Sequence, residues 1–288
     1  MPLRLLRFGL GLARPDTRIL PLPQELKPHY DVVIVGGGGH GLAAAYYLAR
    51  QHGITNVAVL DKGYIGGGNT GRNTAIVRSN YLTDDGVRFY AESMRLYQTL
   101  SDELDINLMY SQRGHLTLAH TDASIRTMRW RAEVNKHLGV ASELIGPDEI
   151  ARICPQLNLS RAVRYPILGA LSHPVGATVR HDAVAWGYAR AAGRLGVAIH
   201  QGTEVVGFAI EGGRITAVET TRGRIGCGKV LIAVAGRSSL VCDMAGFRLP
   251  IRTVPLQACV SQPVKRFLDP IIVSGSLHCY IWQSQRGE

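Results

Sequence analysis

Residues 31–61 have the sequence DVVIVGGGGHGLAAAYYLARQHGITNVAVLD, and this stretch decides the fold. Asp31–Val35 is a continuous apolar run, and Val57–Asp61 is apolar up to its final carboxylate; such runs are typical of strands buried on both faces of a parallel sheet. His40–Arg50, rich in alanine, predicts a helix between them. A strand, a glycine turn, a helix and a second strand in this order form a βαβ unit.

The glycines of this turn fit the GxGxxG pattern at Gly36, Gly38 and Gly41. In such units the glycines allow a tight turn, a close approach of the backbone to a pyrophosphate, and close packing of helix on strand. The amides at the start of the helix favour a diphosphate, because the helix dipole is positive there. Asp61 ends the second strand, where a carboxylate can accept both ribose hydroxyls. The stretch therefore predicts an adenine-dinucleotide site.

The next segment favours FAD over a nicotinamide cofactor. Gly66–Arg78 (GGGNTGRNTAIVR) is glycine-rich and has no acidic residue, where nicotinamide enzymes usually continue into a regular second βαβ unit. Asn69, Thr74 and the loop amides are candidates to reach phosphates or flavin heteroatoms. The alternative is that Asn69, Arg72 and Arg78 are solvated loop residues.

The whole chain predicts an α/β protein in which a Rossmann-like FAD/NAD(P)-binding domain is interleaved with an antiparallel-sheet (α+β) substrate domain. The predicted ranges are an N-terminal extension 1–29, a discontinuous FAD-binding domain 30–90 and 165–245, and an incomplete substrate or interface domain 91–164 and 246–288. Further helices are expected at Asp84–Leu104, Ala123–Leu138, Pro147–Ile153 and His181–Leu195. Further strands are expected at Leu116–Ala119, Thr203–Ile210, Arg214–Thr220, Gly228–Val234, Val254–Ser261 and His278–Gln283.

Composition and charge narrow the class of protein. The chain has 288 residues, 46% hydrophobic and 19% charged, as in ordinary globular proteins. The net charge is +10, and only five of the 32 basic residues are lysines. The arginines are scattered and no nucleic-acid module is recognised, so we expect no nucleic-acid partner. Anionic cofactors or an acidic partner subunit account for the charge equally well.

The five cysteines are widely spaced and form no CxxC pair. This pattern argues against a disulfide framework or a metal site, and favours a reducing, cytoplasmic compartment. No apolar run reaches the roughly 18 residues needed to span a bilayer, so we expect no membrane association.

Several segments together resemble a known family. DVVIVGGGGHGLAAAYYLA, HGITNVAVLDKG, GGNTGRNTAIVRSNY, SQRGHLTLAHT and HDAVAWGYARAA resemble the beta subunits of heterotetrameric sarcosine oxidases, in the glycine-oxidase and D-amino-acid-oxidase family of FAD enzymes. The similarity runs from about Tyr30 to Glu288. The family pattern continues beyond Glu288 with a glycine-rich segment that closes over the flavin, so we expect a C-terminally truncated chain.

The resemblance implies that FAD is held noncovalently. The residues that match its contact segments are Gly36, Gly38, Gly39, His40, Gly41, Asp61, Asn69, Thr74, Ile76 and Val205. Val205 matches the position whose backbone meets the adenine.

The resemblance also implies a second flavin, FMN, attached through its 8α-methyl group to His181. Arg180 would lower the pKa of this imidazole and could bind the FMN phosphate. An alternative is that His181 only caps or precedes the helix that opens at Asp182. His173 is a rival for the attachment, with a poorer match.

The implied reaction is oxidation of the CH–NH bond of sarcosine, or a similar small secondary amine, to glycine and a one-carbon unit. Electrons would pass from FAD to FMN and then to oxygen, giving hydrogen peroxide, in a complex with the other subunits of a heterotetramer. Arg78 matches a position near the flavin ring, where a cation would stabilise reduced flavin. The alternatives are a single-flavin amine or D-amino-acid oxidase or dehydrogenase, and a non-catalytic FAD-binding remnant.

Overall fold

The computed structural model describes residues 6, 9–11, 21 and 23–288. The chain divides into two compact units, the first formed by Met1–Gly71 and Ala185–Thr253 and the second by Arg72–Val184 and Val254–Glu288. The predicted domain ranges, 30–90 with 165–245 and 91–164 with 246–288, stay predictions. Most of the predicted extension 1–29 lies outside the described residues.

The described chain contains six α-helices, two 3-10 turns and fourteen strands. The helices are α1 Gly39–His52, α2 Asp84–Glu103, α3 Asp122–His137, α4 Pro147–Ile153, α5 His181–Arg194 and α6 Ser238–Met244. The strands are β1 His29–Val35, β2 Val57–Leu60, β3 Ile76–Val77, β4 Ser111–Gln112, β5 His115–Ala119, β6 Glu143–Ile145, β7 Gly169–His173, β8 Ala177–Thr178, β9 Ala198–His200, β10 Val205–Glu211, β11 Arg214–Thr220, β12 Gly223–Ile232, β13 Ile271–Ser274 and β14 Cys279–Ile281.

The first unit is built on a six-stranded sheet in the order β10-β11-β12-β1-β2-β9. Strands β12, β1, β2 and β9 run parallel, and the β10–β11 hairpin continues the sheet antiparallel. The predicted βαβ unit is confirmed, and all four residues of β2 are buried. Helix α1 ends at Gly53, whose φ of 66° is the left-handed conformation that suits glycine at a helix end.

The second unit contains a five-stranded sheet, β14-β13-β5-β7-β6, and a small sheet, β3-β8-β4. The fold class is confirmed, with one correction. The larger sheet is mixed rather than antiparallel, because β13 pairs parallel with β5. Leu116, Ile150 and Ala170 belong to its buried core. Thr121 begins α3 with a reciprocal capping box with Ser124.

The strand expected at Val254–Ser261 does not form. These residues have the alternating apolar and polar pattern on which the strand was predicted. However, each of them is exposed, and no strand of the described chain pairs with them. Alternation alone does not stabilise a strand that lacks a partner. Strands β9 and β13, which the sequence analysis did not identify, occupy positions beside β2 and β5.

Among the described residues, no helix has both the length and the apolar character needed to cross a lipid bilayer.

We expect Leu171→Ala to lower the free energy of unfolding by about 2–5 kcal/mol, because the substitution leaves a cavity in a packed core. Leu171 lies in β7 and has no exposed surface. The matched control is Leu256→Ala in the same unit, where the side chain is 92% exposed and the change should stay within about 0.5 kcal/mol. Urea denaturation of both variants measures the difference, and equal losses would contradict the described core.

Candidate functional site

The turn between β1 and α1 brings backbone so close to backbone that side chains are excluded. Gly36 has a φ of 113°, and a Cβ there would lie 2.4 Å from the carbonyl oxygen of Ala233. A Cβ on Gly41 would lie 2.0 Å from the carbonyl oxygen of Gly36. Both glycines are therefore required by the turn itself, as the pattern predicts.

The N-terminus of α1 has the properties of an anion site. Gly38 precedes the helix and offers no side chain to cap it, and the first turn has no acidic residue. The amide of Gly39 donates to Thr70 Oγ1 at 2.9 Å, which fixes the following loop against the turn. His40 is exposed at the same end. Within its own first turn, the positive end of the helix dipole therefore has no acidic side chain to compensate it.

Asp61 lies beside this turn with its carboxylate held by two backbone amides. Its Oδ2 accepts a hydrogen bond from Gly37 N at 2.8 Å, and its Oδ1 accepts one from Gly63 N at 2.8 Å. A carboxylate has about four acceptor positions, so each oxygen keeps capacity for another donor. The side chain is oriented in advance to accept two hydroxyl groups.

Two further segments of the first unit meet this turn. The amide of Gly66 donates to the carbonyl of Gly37 at 2.9 Å, so the glycine-rich loop that carries Asn69 starts at the turn. Thr203 N donates to Asp61 O at 2.8 Å, which brings the start of β10, Val205, to the end of β2. The structure therefore groups the predicted cofactor residues of this unit, which are Gly36, Gly38, Gly39, His40, Gly41, Asp61, Asn69 and Val205.

The second unit contains the remaining predicted residues. Strands β3 and β8 pair antiparallel, with Ile76 opposite Thr178, and Val179 N donates to Ala75 O at 3.1 Å. This pairing places the segment Thr74–Ile76 alongside the segment that leads into Arg180 and His181. Two stretches about a hundred residues apart in sequence are thereby brought together, as a shared site would need.

His181 begins α5, and its Nδ1 is buried without a hydrogen-bond partner among the described residues. Burial lowers its pKa; of the neighbouring charges, Asp182 acts to raise the pKa and Arg180 to lower it. Arg180 thus acts on this pKa in the predicted direction, although burial of the imidazole is the larger cause. The Arg180 guanidinium is bound by the Asp182 carboxylate, with a Nε–Oδ1 distance of 2.9 Å.

Arg78 follows β3 and is held by its neighbours. Its Nη1 donates to Asn80 Oδ1 at 3.0 Å, and its guanidinium lies over the ring of Tyr81 at 4.1 Å from the centroid. Burial lowers its pKa, with Tyr81 and Tyr90 acting in the opposite direction. An arginine stays protonated in proteins, so Arg78 is a fixed, partly desolvated cation.

Sequence reasoning missed two contributors to the site. Gly37 donates to Asp61, and Thr70 anchors the glycine-rich loop to the turn. Thr70 follows Asn69 directly, so its hydroxyl in a phosphate-binding loop was an available signal. Among the described residues, no group of three or more His, Cys, Asp or Glu side chains could hold a metal ion.

Comparison with known proteins identifies the family of this chain. The family model "DAO: FAD dependent oxidoreductase" matches residues 31–288, which is most of the chain. This chain belongs to the FAD-dependent oxidoreductase family. The family explains why the dinucleotide turn, the Asp61 carboxylate and the glycine-rich loop occur together.

Within this family, the chain is 49% identical to the sarcosine oxidase subunit beta of Arthrobacter sp over 92% of its length, covering 65% of that protein. It is 52% identical to the same subunit of Rhizobium meliloti (strain 1021), covering 91% of this chain and 62% of that protein. The chain thus spans less than two thirds of the length of these relatives. Among solved structures, L-proline dehydrogenase from P. horikoshii superposes with a TM-score of 0.80 at 29% identity, over 92% of this chain and 69% of that one.

The residues of the first unit fit the cofactor of the FAD-dependent oxidoreductase family. The glycines leave room where a Cβ would collide, the helix end is uncapped by any anion, and Asp61 keeps acceptor capacity. These three properties match the diphosphate and the ribose of FAD.

We expect Gly41→Ala to abolish FAD retention, because the added methyl group collides with the carbonyl of Gly36 and displaces the start of α1. The matched control is Gly275→Ala in the turn between β13 and β14, where a Cβ would meet nothing within 4 Å. Flavin absorbance per mole of protein after gel filtration measures the effect. Equal flavin content in the two variants would refute the described turn.

Proposed function

We propose that this chain belongs to an enzyme that oxidises the CH–NH bond of sarcosine, or of a similar small secondary amine, to glycine and a one-carbon unit. Oxygen is the proposed final electron acceptor, and hydrogen peroxide is the product of its reduction. The observation that carries the proposal is the glycine turn beside the Asp61 carboxylate, in a chain about half identical to sarcosine oxidase beta subunits. Because the chain spans only part of those relatives, the activity is proposed for the whole protein.

The predicted cofactor residues would bind and orient FAD. The amides that begin α1 would bind the FAD diphosphate, Asp61 the ribose hydroxyls, and the backbone at Val205 the adenine. Asn69, Thr74 and Ile76 would contact the rest of the cofactor. When bound, FAD supplies the acceptor for the hydrogen and the electron pair that leave the N-methyl carbon of the substrate.

Arg78 is the residue that we assign to catalysis. Asn80 and Tyr81 hold its guanidinium, so the cation is oriented before substrate binds. A fixed cation in a partly desolvated place stabilises negative charge that develops during a reaction, and it does so without reorganisation. We propose that this charge develops on the flavin ring.

His181 is the residue that would hold a second flavin, FMN. Its imidazole is half-buried and its pKa is lowered, so the neutral, nucleophilic form is present at neutral pH. The attachment would join one imidazole nitrogen to the 8α carbon, with loss of one C–H hydrogen of the methyl group and of the imidazole N–H hydrogen. This is a net two-electron oxidation, for which oxygen, the proposed final acceptor, would take up the electrons and be reduced to hydrogen peroxide. Arg180, whose charge Asp182 already balances in part, could reach the FMN phosphate through its remaining N–H donors.

The other subunits of a heterotetramer are the proposed protein partners. The chain carries a net charge of +10, which an acidic partner surface would complement. Its five cysteines are free, which is consistent with a reducing, cytoplasmic location. No feature of the described residues indicates nucleic acid as a partner.

Anaerobic titration of the FAD-loaded protein with sarcosine tests the proposed reaction. We expect the oxidised-flavin absorbance to bleach, and we expect Arg78→Ala to slow the bleaching about a hundredfold, since it removes the positioned cation. The matched control is Arg88→Ala, an exposed arginine of α2, which should bleach at the rate of the unchanged protein.

Two results would contradict this proposal in different ways. Bleaching by another amine or amino acid, but not by sarcosine, would favour a single-flavin oxidase or dehydrogenase. FAD that is retained but bleached by none of these compounds would favour a non-catalytic FAD-binding remnant. An unchanged bleaching rate in Arg78→Ala would remove the role assigned to that residue alone.

Covalent flavin can be tested separately from activity. We expect the denatured protein to fluoresce on an acid-treated gel under ultraviolet light, and we expect His181→Ala to lose that fluorescence because the bonding nitrogen is gone. His137→Ala, at an exposed position of α3, is the control that should keep it. Fluorescence that survives in His181→Ala but not in a His173→Ala variant would move the attachment to the rival histidine.

A further inference from the structure

The position of the Arg78 guanidinium depends on two neighbours in sequence. Its Nη1 donates to the carbonyl oxygen of Asn80 at 3.3 Å and to the side-chain oxygen of Asn80 at 3.0 Å. Its guanidinium carbon lies 4.1 Å from the centre of the Tyr81 ring. Among the described residues, no Asp or Glu forms an ion pair with Arg78. An arginine side chain has many rotamers, so the cation keeps one position only if Asn80 and Tyr81 keep theirs.

Helix α3 fixes the backbone of these two neighbours. The guanidinium of Arg131 donates to the carbonyl oxygen of Asn80, and Asn135 Nδ2 donates to the carbonyl oxygen of Tyr81 at 3.4 Å. Arg131 and Asn135 are one turn apart, so both face the same segment. Asn135 is completely buried and also donates to the carbonyl oxygen of Arg131 at 2.6 Å. A fixed backbone still leaves the Tyr81 side chain a choice of rotamers.

Helix α2 supplies the contact that fixes the Tyr81 ring. Tyr90, in the second turn of this helix, stacks on Tyr81 with 3.9 Å between the ring centroids and 17° between the ring planes. Arg78 lies 4.1 Å from the same centroid, and two groups at these distances cannot share one face of a ring. The Tyr81 ring is therefore held between Arg78 on one face and Tyr90 on the other.

The charge state of Tyr81 suits this arrangement. Burial raises the pKa of Tyr81; the charge of Arg78 acts to lower it, and a side-chain hydrogen bond with Tyr90 acts to raise it. The phenol is therefore neutral at neutral pH, and the face of its ring attracts the cation. Tyr90 itself is 38% exposed, so little of the packed core depends on it.

We propose that Tyr90 is a positioning residue for Arg78, which acts by holding the Tyr81 ring against the guanidinium. Tyr90 acts through Tyr81 and Arg78 and has no contact of its own with substrate or cofactor. Without the Tyr90 ring, the Tyr81 side chain gains rotamers and the cation loses its single position. The consequence for catalysis rests on the proposed function of Arg78, because a cation stabilises developing charge best when it needs no reorganisation.

Nuclear magnetic resonance measures the position of the cation without any reaction. In FAD-loaded protein with isotope-labelled arginine, the Nε–H signal of Arg78 is the one that Arg78→Ala lacks. We expect the Tyr81 ring to shift this signal upfield, and we expect Tyr90→Leu to return it toward the signals of exposed arginines. Tyr90→Phe keeps the stacked ring and should keep the shift. Tyr90→Met repeats the test with a second side chain that has no ring.

The matched control is Phe89→Leu, at the preceding position of α2. Phe89 is 68% exposed and packs edge-on against the Tyr90 ring. This variant should leave the Arg78 signal where it is. Because both side chains are exposed, Tyr90→Leu and Phe89→Leu should melt within about 2 °C of the unchanged protein. A signal that moves only in Tyr90→Leu therefore reports the position of the cation and not a loss of stability.

A double-mutant cycle measures the consequence for the reaction. In the anaerobic sarcosine titration, Tyr90→Leu should slow bleaching about tenfold, less than Arg78→Ala, because the cation is misplaced but still present. When Arg78→Ala is already in place, Tyr90→Leu should cause no further slowing, since there is no cation left to position. Tyr90→Phe should bleach at the rate of the unchanged protein.

Two results would overturn the inference. One is an Arg78 signal that stays in place in folded Tyr90→Leu and Tyr90→Met variants, which would mean that Tyr81 is held without Tyr90. The other is a slowing by Tyr90→Leu that is equally large in the Arg78→Ala background, which would mean that Tyr90 acts by another route.

A failure of the proposed function gives a different pattern. In that case sarcosine does not bleach the flavin, or Arg78→Ala bleaches at the unchanged rate, while the Arg78 signal still moves in Tyr90→Leu. This pattern would remove the catalytic role of Arg78 and would support the positioning of its cation by Tyr90.

Discussion

The structure of the first unit depends on a steric constraint, the approach of Gly41 to the carbonyl of Gly36. No side chain fits at Gly41. Because glycine has none, the chain can turn directly from a buried strand into a helix. Gly38 before α1 has no side chain to cap the helix, and Thr70 Oγ1 from the following loop accepts the hydrogen bond of the Gly39 amide. Asp61 completes the arrangement, since β2 lies beside β1 and ends where the turn begins. One close contact thus determines the local fold of the turn, beside which the start of α1 and the Asp61 carboxylate lie.

The parts of the fold that were predictable are those whose cause is local in sequence. The βαβ unit follows from continuous apolar runs and glycines within a short stretch, and the β10–β11 hairpin follows from Gly212 and Gly213, which both adopt a positive φ. The pairing of β13 with β5 joins residues far apart in the chain and leaves no local signal. The strand pattern at Val254–Ser261 was misleading for the opposite reason: the pattern is present, but the described chain provides no partner strand.

In the candidate site, too, the features with a local cause in the sequence were predictable and those that depend on distant residues were not. The glycines and Asp61 were identified because their spacing carries the chemistry. Thr70 was missed because its contact with Gly39 exists only after the loop has folded back. Arg180 lowers the pKa of His181 as predicted, but the burial of the imidazole, which is the larger cause, depends on the folded chain and has no signal in the sequence. The contact of Arg78 and Arg131 with the carbonyl of Asn80 could not be anticipated, since no sequence pattern indicates that two arginines on different elements share one carbonyl group.

The extended segment Val254–Ser261 has a practical consequence for handling the protein. Val254, Leu256 and Val260 expose most of their apolar surface along a single ribbon of unpaired backbone. Such a ribbon can template intermolecular β-pairing, so self-association is expected to increase with protein concentration. Pro255 interrupts the ribbon near its start and limits the length that can pair. A charged residue in place of Leu256 should improve solubility without touching the packed interior of either unit.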